Sequence, residues 1–152
     1  MRRAASDVMS RDSGPGPGSG QRARVRRKLN VLVVEDDPGV ASCLIEILSL
    51  AGHTGTHARS LVQARTCIAA ARADVVTLDL QLEGELGVDL LEELRDVREA
   101  PPVVLVSAYP DTDRIARRHG VAWLQKPFDI DELTRTVEAV ARPLPEEATG
   151  TR

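Results

Sequence analysis

The chain has 152 residues, enough for one domain of ordinary size whose core needs no disulfide or structural metal. Its net charge of −3 hides an asymmetry: residues 1–28 carry eight Lys and Arg against two Asp, a net of +6, while residues 29–152 carry twelve against twenty-one acids, a net of −9. No eighteen-residue apolar run exists to span a membrane, no signal-peptide pattern follows the N-terminal arginines, and Cys43 and Cys67 lack metal-binding or redox spacing, so the expectation is a cytoplasmic protein with reduced, packed thiols.

Residues 1–28 are dominated by Gly, Pro, Ser and Arg and have little to bury, which predicts a flexible basic arm. Its end, "RARVRRK" at 22–28, is a solvated charge run that can also meet phosphates or an acidic partner. The acidic remainder of the chain disfavours nucleic acid as the main partner.

From Leu29 short apolar strands alternate with amphipathic helices. "LNVLVV" reads as the first strand. Pro38 opens a helix with Val40, Leu44, Ile47, Leu48 and Ala51 on one face, stopped at Gly52. "HTGTHA" is a weak strand suited to a sheet edge. Ser60 is placed to cap a helix through Arg72, with Ala64, Ile68 and Ala71 inward. "DVVTLDL" is apolar enough to be buried on both faces. "GELGVDLLEELRDV" predicts a helix presenting Leu90, Leu91, Leu94 and Val97 to the core. "PPVVLVSA" is the fourth strand, "DTDRIARRHG" a short helix and "VAWLQ" the fifth strand. The last helix opens at Asp129 with Glu132 three residues on, a capping-box spacing, and buries Leu133, Val137 and Val140. Pro143 and Pro145 end the fold before a short acidic tail, 143–152. His53, His57 and His119 fall in loops and at an element end and carry no chemical role in this reading.

Five βα units in series predict an α/β fold, a doubly wound five-stranded parallel sheet with helices on both faces. Ligands bind such sheets at the carboxyl ends of the strands. There the first strand delivers Glu35 and Asp36, the third Asp79, the fourth Ser107 and the fifth Lys126. Three carboxylates in one crevice repel one another, so a cation is expected among them. Hard oxygen donors in a partial shell suit Mg²⁺. Taken singly, Asp79 reads as a loop-capping acid, Ser107 as a turn hydroxyl and Trp123 as a core aromatic. Their joint placement at the strand ends is what those readings leave unexplained.

The motifs "VVEDDP", "LDLQLEGELG", "VLVSA" and "KPF", in this order and each at a strand end, resemble the receiver domain of bacterial two-component response regulators over about residues 29–142. The resemblance implies a flavodoxin-like sheet of strand order 2-1-3-4-5. It implies that Asp79 is a phosphoacceptor served by a sensor histidine kinase or a histidine phosphotransfer protein. It also implies Mg²⁺ held by Asp36, Asp79, the Gln81 backbone carbonyl and, through water, Glu35. Lys126 and Ser107 would bind the phosphoryl oxygens, and Lys126–Pro127 would be cis. Ser107 and Trp123 would form a switch that remodels the face of the fourth helix, fifth strand and last helix for a downstream protein target or relay.

In this family such chemistry acts on the domain itself, so no turnover enzyme is expected. Gln81 and Tyr109 occupy the positions flanking the phosphate in this family. Asp37, the variable third acid, is expected to face solvent at the first helix's start, where the helix dipole tolerates it.

The sequence departs from the family pattern at Glu83, where proline is common, and in the 19-position spacing from Ser107 to Lys126, about one helical turn short. The short spacing predicts a truncated fourth helix and puts the family's usual dimer face in doubt. Only ten residues follow Arg142, too few for an output module, which leads to the expectation of a stand-alone receiver. Three rivals remain: a phosphorylation-independent interaction module with the same fold, a nucleic-acid binder working through the basic arm, and a haloacid-dehalogenase-type phosphatase. The last also uses a strand-end Asp with Mg²⁺ but needs an acid two residues further on, where this chain has Gln81.

Overall fold

The computed structural model describes residues 27–70 and 72–142. The basic arm except its last two residues, the acidic tail and the inward placement of Ala71 lie outside the described residues. Five parallel strands form the sheet: β1 (Asn30–Val34), β2 (Thr54–Ala58), β3 (Val75–Leu78), β6 (Val103–Ser107) and β7 (Ala122–Gln125), in the order β2-β1-β3-β6-β7. This is the expected doubly wound order, with the sequence's fourth and fifth strands as β6 and β7. Two short strands, β4 (Gln81–Leu82) and β5 (Glu85–Leu86), make a separate antiparallel hairpin between β3 and the third helix.

Side chains alternate across a strand, so the central strands feed two cores. Leu32, Val34, Val76, Leu78, Val103 and Leu105 pack against α2 (Leu61–Ala69), α3 (Gly87–Arg95) and α4 (Thr112–His119). Val31, Val33, Val75, Val104 and Val106 pack against α1 (Pro38–Leu50) and α5 (Ile130–Val140) on the other face. Each fully buried Val or Leu contributes about 1.5–3 kcal/mol, so these continuous apolar runs dominate the favourable side of folding. β2, on the edge, buries only Ala58, as its weak pattern predicts.

Local signals explain most helix ends. Asp37 does more than tolerate the start of α1: its carboxylate accepts from Gly39 N and Val40 N at 2.8 and 3.1 Å as the N-cap. Ser60 caps α2 through Gln63 N, and Asp129 with Glu132 closes the capping box of α5. Gly120 ends α4 at φ 66°, a left-handed conformation that glycine adopts without steric cost.

Four expectations need correction. α2 stops at Ala69, so Arg72 lies outside it. α3 begins at Gly87, after the hairpin, and Val97 lies beyond its end, half exposed, rather than in the core. Cys43 is exposed on α1, and only Cys67 is partly buried. The histidines are not all peripheral. His53 is buried, accepting from Leu29 N at 3.2 Å and donating Nε2–H to Glu138 Oε1 at 2.9 Å, while His57 lies within β2. Among the described residues no helix is long and apolar enough to cross a membrane.

Thr77 is buried in β3 and its Oγ1 finds no partner among the described residues. An unmet buried hydroxyl costs about 1–3 kcal/mol. Thr77→Val, which keeps the shape and removes the hydroxyl, should therefore raise the unfolding free energy by about 1 kcal/mol in urea titrations. A fall in stability instead would mean that the hydroxyl has a partner in solution.

Candidate functional site

Parallel pairing brings the carboxyl ends of β1, β3, β6 and β7 to one edge. Asp79 N–H donates to Val34 O at 3.1 Å, and Lys126 N–H donates to Ser107 O at 2.9 Å, so the chain holds its register beyond the last paired residues. All the expected residues of the crevice meet there. Lys126 Nζ donates to Glu35 Oε2 at 2.8 Å and to Asp79 Oδ2 at 2.9 Å. Asp79 Oδ1 accepts from Ser107 Oγ at 2.8 Å and from Gln81 N at 2.9 Å. Asp36 stands to one side and accepts from Glu83 N at 3.0 Å.

The side chains of Glu35 and Asp79 are only 4 % and 9 % exposed, so their charges meet little water. An ion pair about 4 Å apart gains about 4 kcal/mol at an effective dielectric of 20, while desolvating each ion costs several. One ammonium is shared between the two carboxylates, and they respond unequally. Burial, reinforced by Asp79 against the opposing pull of Lys126, pushes Glu35 up to about 7. Burial also works against Asp79, but Gln81 N–H, Lys126 and Ser107 Oγ outweigh it and hold this carboxyl below the usual range. Burial disfavours the Lys126 cation, yet the two carboxylates raise its pKa above the ordinary lysine value. As pH falls Glu35 therefore takes up a proton before Asp79, which remains an anion at neutral pH.

Several supports were not legible from motif spacing. A Cβ at Gly87 would collide with the backbone of Asp79 and Leu80, so only glycine lets α3 start this close to the carboxylate. His57 Nε2–H donates to Glu35 O at 2.6 Å, fixing the end of β1 from the edge strand. Tyr109 N–H donates to Ser107 Oγ at 3.2 Å, and Tyr109 O accepts from Thr112 Oγ1 and Gln125 Nε2. Trp123 pairs with Leu105 across β6 and β7, packs partly buried against the α2–α3–α4 core, and lies 5.2 Å from the Arg117 guanidinium. Lys126–Pro127 is cis.

Among the described residues, no group of three or more His, Cys, Asp or Glu side chains is assembled as a metal site. The cation already among the acids is the Lys126 ammonium. The donors nevertheless fit Mg²⁺, which is commonly bound through one or two carboxylates and keeps several waters. Asp36 and Asp79 supply two carboxylates, and the crevice carries one ammonium against three acids.

The raised pKa of Glu35 has a definite sign. Its contribution to stability is full below about 4.5, its unfolded value, and is lost as pH rises through about 7. In EDTA, urea unfolding of the wild type should lose stability across that window, and Glu35→Gln should remove this part of the decline. An unchanged slope in the variant would place the proton elsewhere.

Residues 31–138 match the response regulator receiver domain family. The transcriptional regulatory protein TcrA of Mycobacterium tuberculosis is 35 % identical over 154 residues, covering 96 % of this chain and 58 % of that protein, so the chain spans under two thirds of TcrA's length. Sporulation initiation phosphotransferase F of Bacillus subtilis is 30 % identical over 118 residues, covering 76 % of this chain and 93 % of that protein. The CheY-like response regulator receiver domain of Methylobacillus flagellatus superposes with a TM-score of 0.66 at 25 % identity, over 75 % of this chain and 99 % of that one. With Asp79, Lys126 and Ser107 gathered at the carboxyl edge of a β2-β1-β3-β6-β7 sheet, the chain belongs to the receiver domain family of response regulators.

Proposed function

We propose that the chain is a phosphoacceptor switch in which Asp79 takes a phosphoryl group from a phosphohistidine on a histidine kinase or phosphotransfer protein. The observation that carries this reading is the state of Asp79: an anion, nearly buried, with one oxygen on Lys126 and the other on Ser107 and Gln81 N. A carboxylate is a weak nucleophile toward phosphorus because both partners are surrounded by negative oxygen, so catalysis here is positioning and charge neutralisation. An Asp79 oxygen attacks phosphorus as the bond to the imidazole nitrogen breaks, and the electron pair leaves with the imidazole. Lys126 neutralises charge on the phosphoryl oxygens, and Ser107 turns its hydroxyl from Asp79 to one of them. Mg²⁺ held by Asp36, Asp79 and the Gln81 carbonyl, with Glu35 through water, would supply further neutralisation of the phosphoryl group.

The product is an aspartyl phosphate on the domain itself, so the chemistry is one event per molecule rather than turnover on a free substrate. The readout is a protein partner or an onward relay through the face of α4, β7 and α5, with Ser107 and Trp123 as the two-state element. The relationship to proteins named as a transcriptional regulator and a phosphotransferase supports a signalling role of this kind. A cytoplasmic location accords with a kinase as donor.

Incubation with acetyl phosphate and Mg²⁺ should add one phosphoryl group by intact mass, and the adduct should be absent in Asp79→Ala. Wild type that stays unmodified under both acetyl phosphate and a cognate kinase would sink the reading. Ser107→Ala should still accept the phosphoryl group but lose most of the accompanying change in Trp123 emission. An unaltered emission response in that variant would remove Ser107 from the switch.

A further inference from the structure

The segment after Asp79 is pinned at three points. At its start, Gln81 N–H donates to Asp79 Oδ1 at 2.9 Å. At its turn, Glu83 N–H donates to Asp36 Oδ2 at 3.0 Å, across 47 positions. At its end, Glu85 in β5 reaches away from the crevice, and its Oε2 accepts from Leu61 N, the first residue of α2, at 3.0 Å. The first two bonds touch carboxylates of the site. The third has no reacting partner and ties the hairpin to the first residue of α2, in the helix layer.

A two-stranded hairpin of two residues per strand has no stability of its own. Gly84, at φ 71°, lets the chain make the tight two-residue turn but adds no side chain to anchor it, and the exposed Leu86 stands as N-cap of α3 without a side-chain cap bond. The orientation of β4 and β5 must therefore come from what they are tied to. Leu61 N is one of the orphan donors at the start of α2, and a carboxylate there is favoured by the helix dipole. α2 itself is seated by Ser60 and by the Arg65–Glu93 bond pair of 2.8 and 2.7 Å to α3. Glu85 thus couples the hairpin to an element fixed elsewhere.

We propose that Glu85 is a positioning residue of the phosphoacceptor site: by accepting Leu61 N–H it fixes the β4–β5 hairpin and so holds Gln81 N–H on Asp79 and Glu83 N–H on Asp36. The inference rests on the phosphoacceptor reading for its meaning, but the tether is measurable without it. Gln81 also contributes the carbonyl assigned to Mg²⁺, so a loose hairpin weakens that shell and leaves Asp79 one donor short.

Amide hydrogen exchange on the metal-free protein tests the tether directly. Glu85→Ala, and Glu85→Asp, which keeps the charge but falls one methylene short, should speed exchange at Gln81 and Glu83 while leaving β1 and β3 amides at their wild-type rates. Glu85→Gln, whose Oε1 still accepts, should restore protection. Should Glu85→Ala fail to fold, the aspartate variant carries the comparison. Calorimetric Mg²⁺ titration should show about a tenfold loss of affinity in the alanine and aspartate variants, the low end of what outer-shell removal costs metal sites, with recovery in the glutamine variant. Wild-type exchange at Gln81 and Glu83 in both weakening variants would overturn the proposal. A wild type that takes neither Mg²⁺ nor phosphoryl group but shows the exchange pattern would overturn the phosphoacceptor reading and leave the tether standing.

Discussion

The site depends on one ammonium shared between two nearly buried carboxylates. Lys126 is delivered by the last strand, Glu35 by the first and Asp79 by the one between, so the pairings close only when β1, β3, β6 and β7 are in register. Misplacing any of these strands by one residue would turn its terminal side chain to the opposite face. The unequal division of the proton is equally a product of the fold. Asp79 has two further donors, from Ser107 and Gln81, whereas the Glu35 carboxylate receives, among the described residues, only the longer 3.3 Å bond from Asp37 N besides its lysine. Asp79 stays anionic because its neighbours donate to it.

Around that centre the supports come from four directions. β2 contributes His57 to the Glu35 carbonyl, the hairpin contributes Gln81 and Glu83, Gly87 permits close approach from α3, and Tyr109 steadies the Ser107 hydroxyl. None of these groups needs to react. Each limits where the oxygens of Glu35, Asp36 and Asp79 can be, and in the phosphoacceptor role proposed for Asp79 such placement would supply much of the rate.

The five strands and five helices were legible because their patterns are long and consistent: near-continuous apolar runs at β1, β3 and β6, and helical spacing at α1 and α5. The crevice was legible because a parallel sheet brings its strand ends together, which turns separated motifs into one place. The β4–β5 hairpin was not, since two-residue strands carry no readable period. Nor was the end of α2 or of α3, where an apolar residue such as Val97 keeps the spacing after the backbone has left the helix. The polar supports His57, His53 and Glu85 act on groups 22 or more positions away, and no local spacing announces such partners. Asp37, read as a tolerated acid, is the N-cap because its side chain, not the dipole alone, meets the orphan amides.

The eight-residue α4 gathers its charges by end. Asp111 and Asp113 stand at its start, near the acidic crevice, while Arg117, Arg118 and His119 occupy its last turn. α5 likewise begins with acids, Asp129, Asp131 and Glu132, and carries Arg135 and Glu138 in its second half. Because both helices run opposite to the strands, their acidic first turns lie at the pole of the domain that carries Asp79. A positively charged visitor would therefore meet these acids on its way to Asp79, an attraction felt most at low ionic strength.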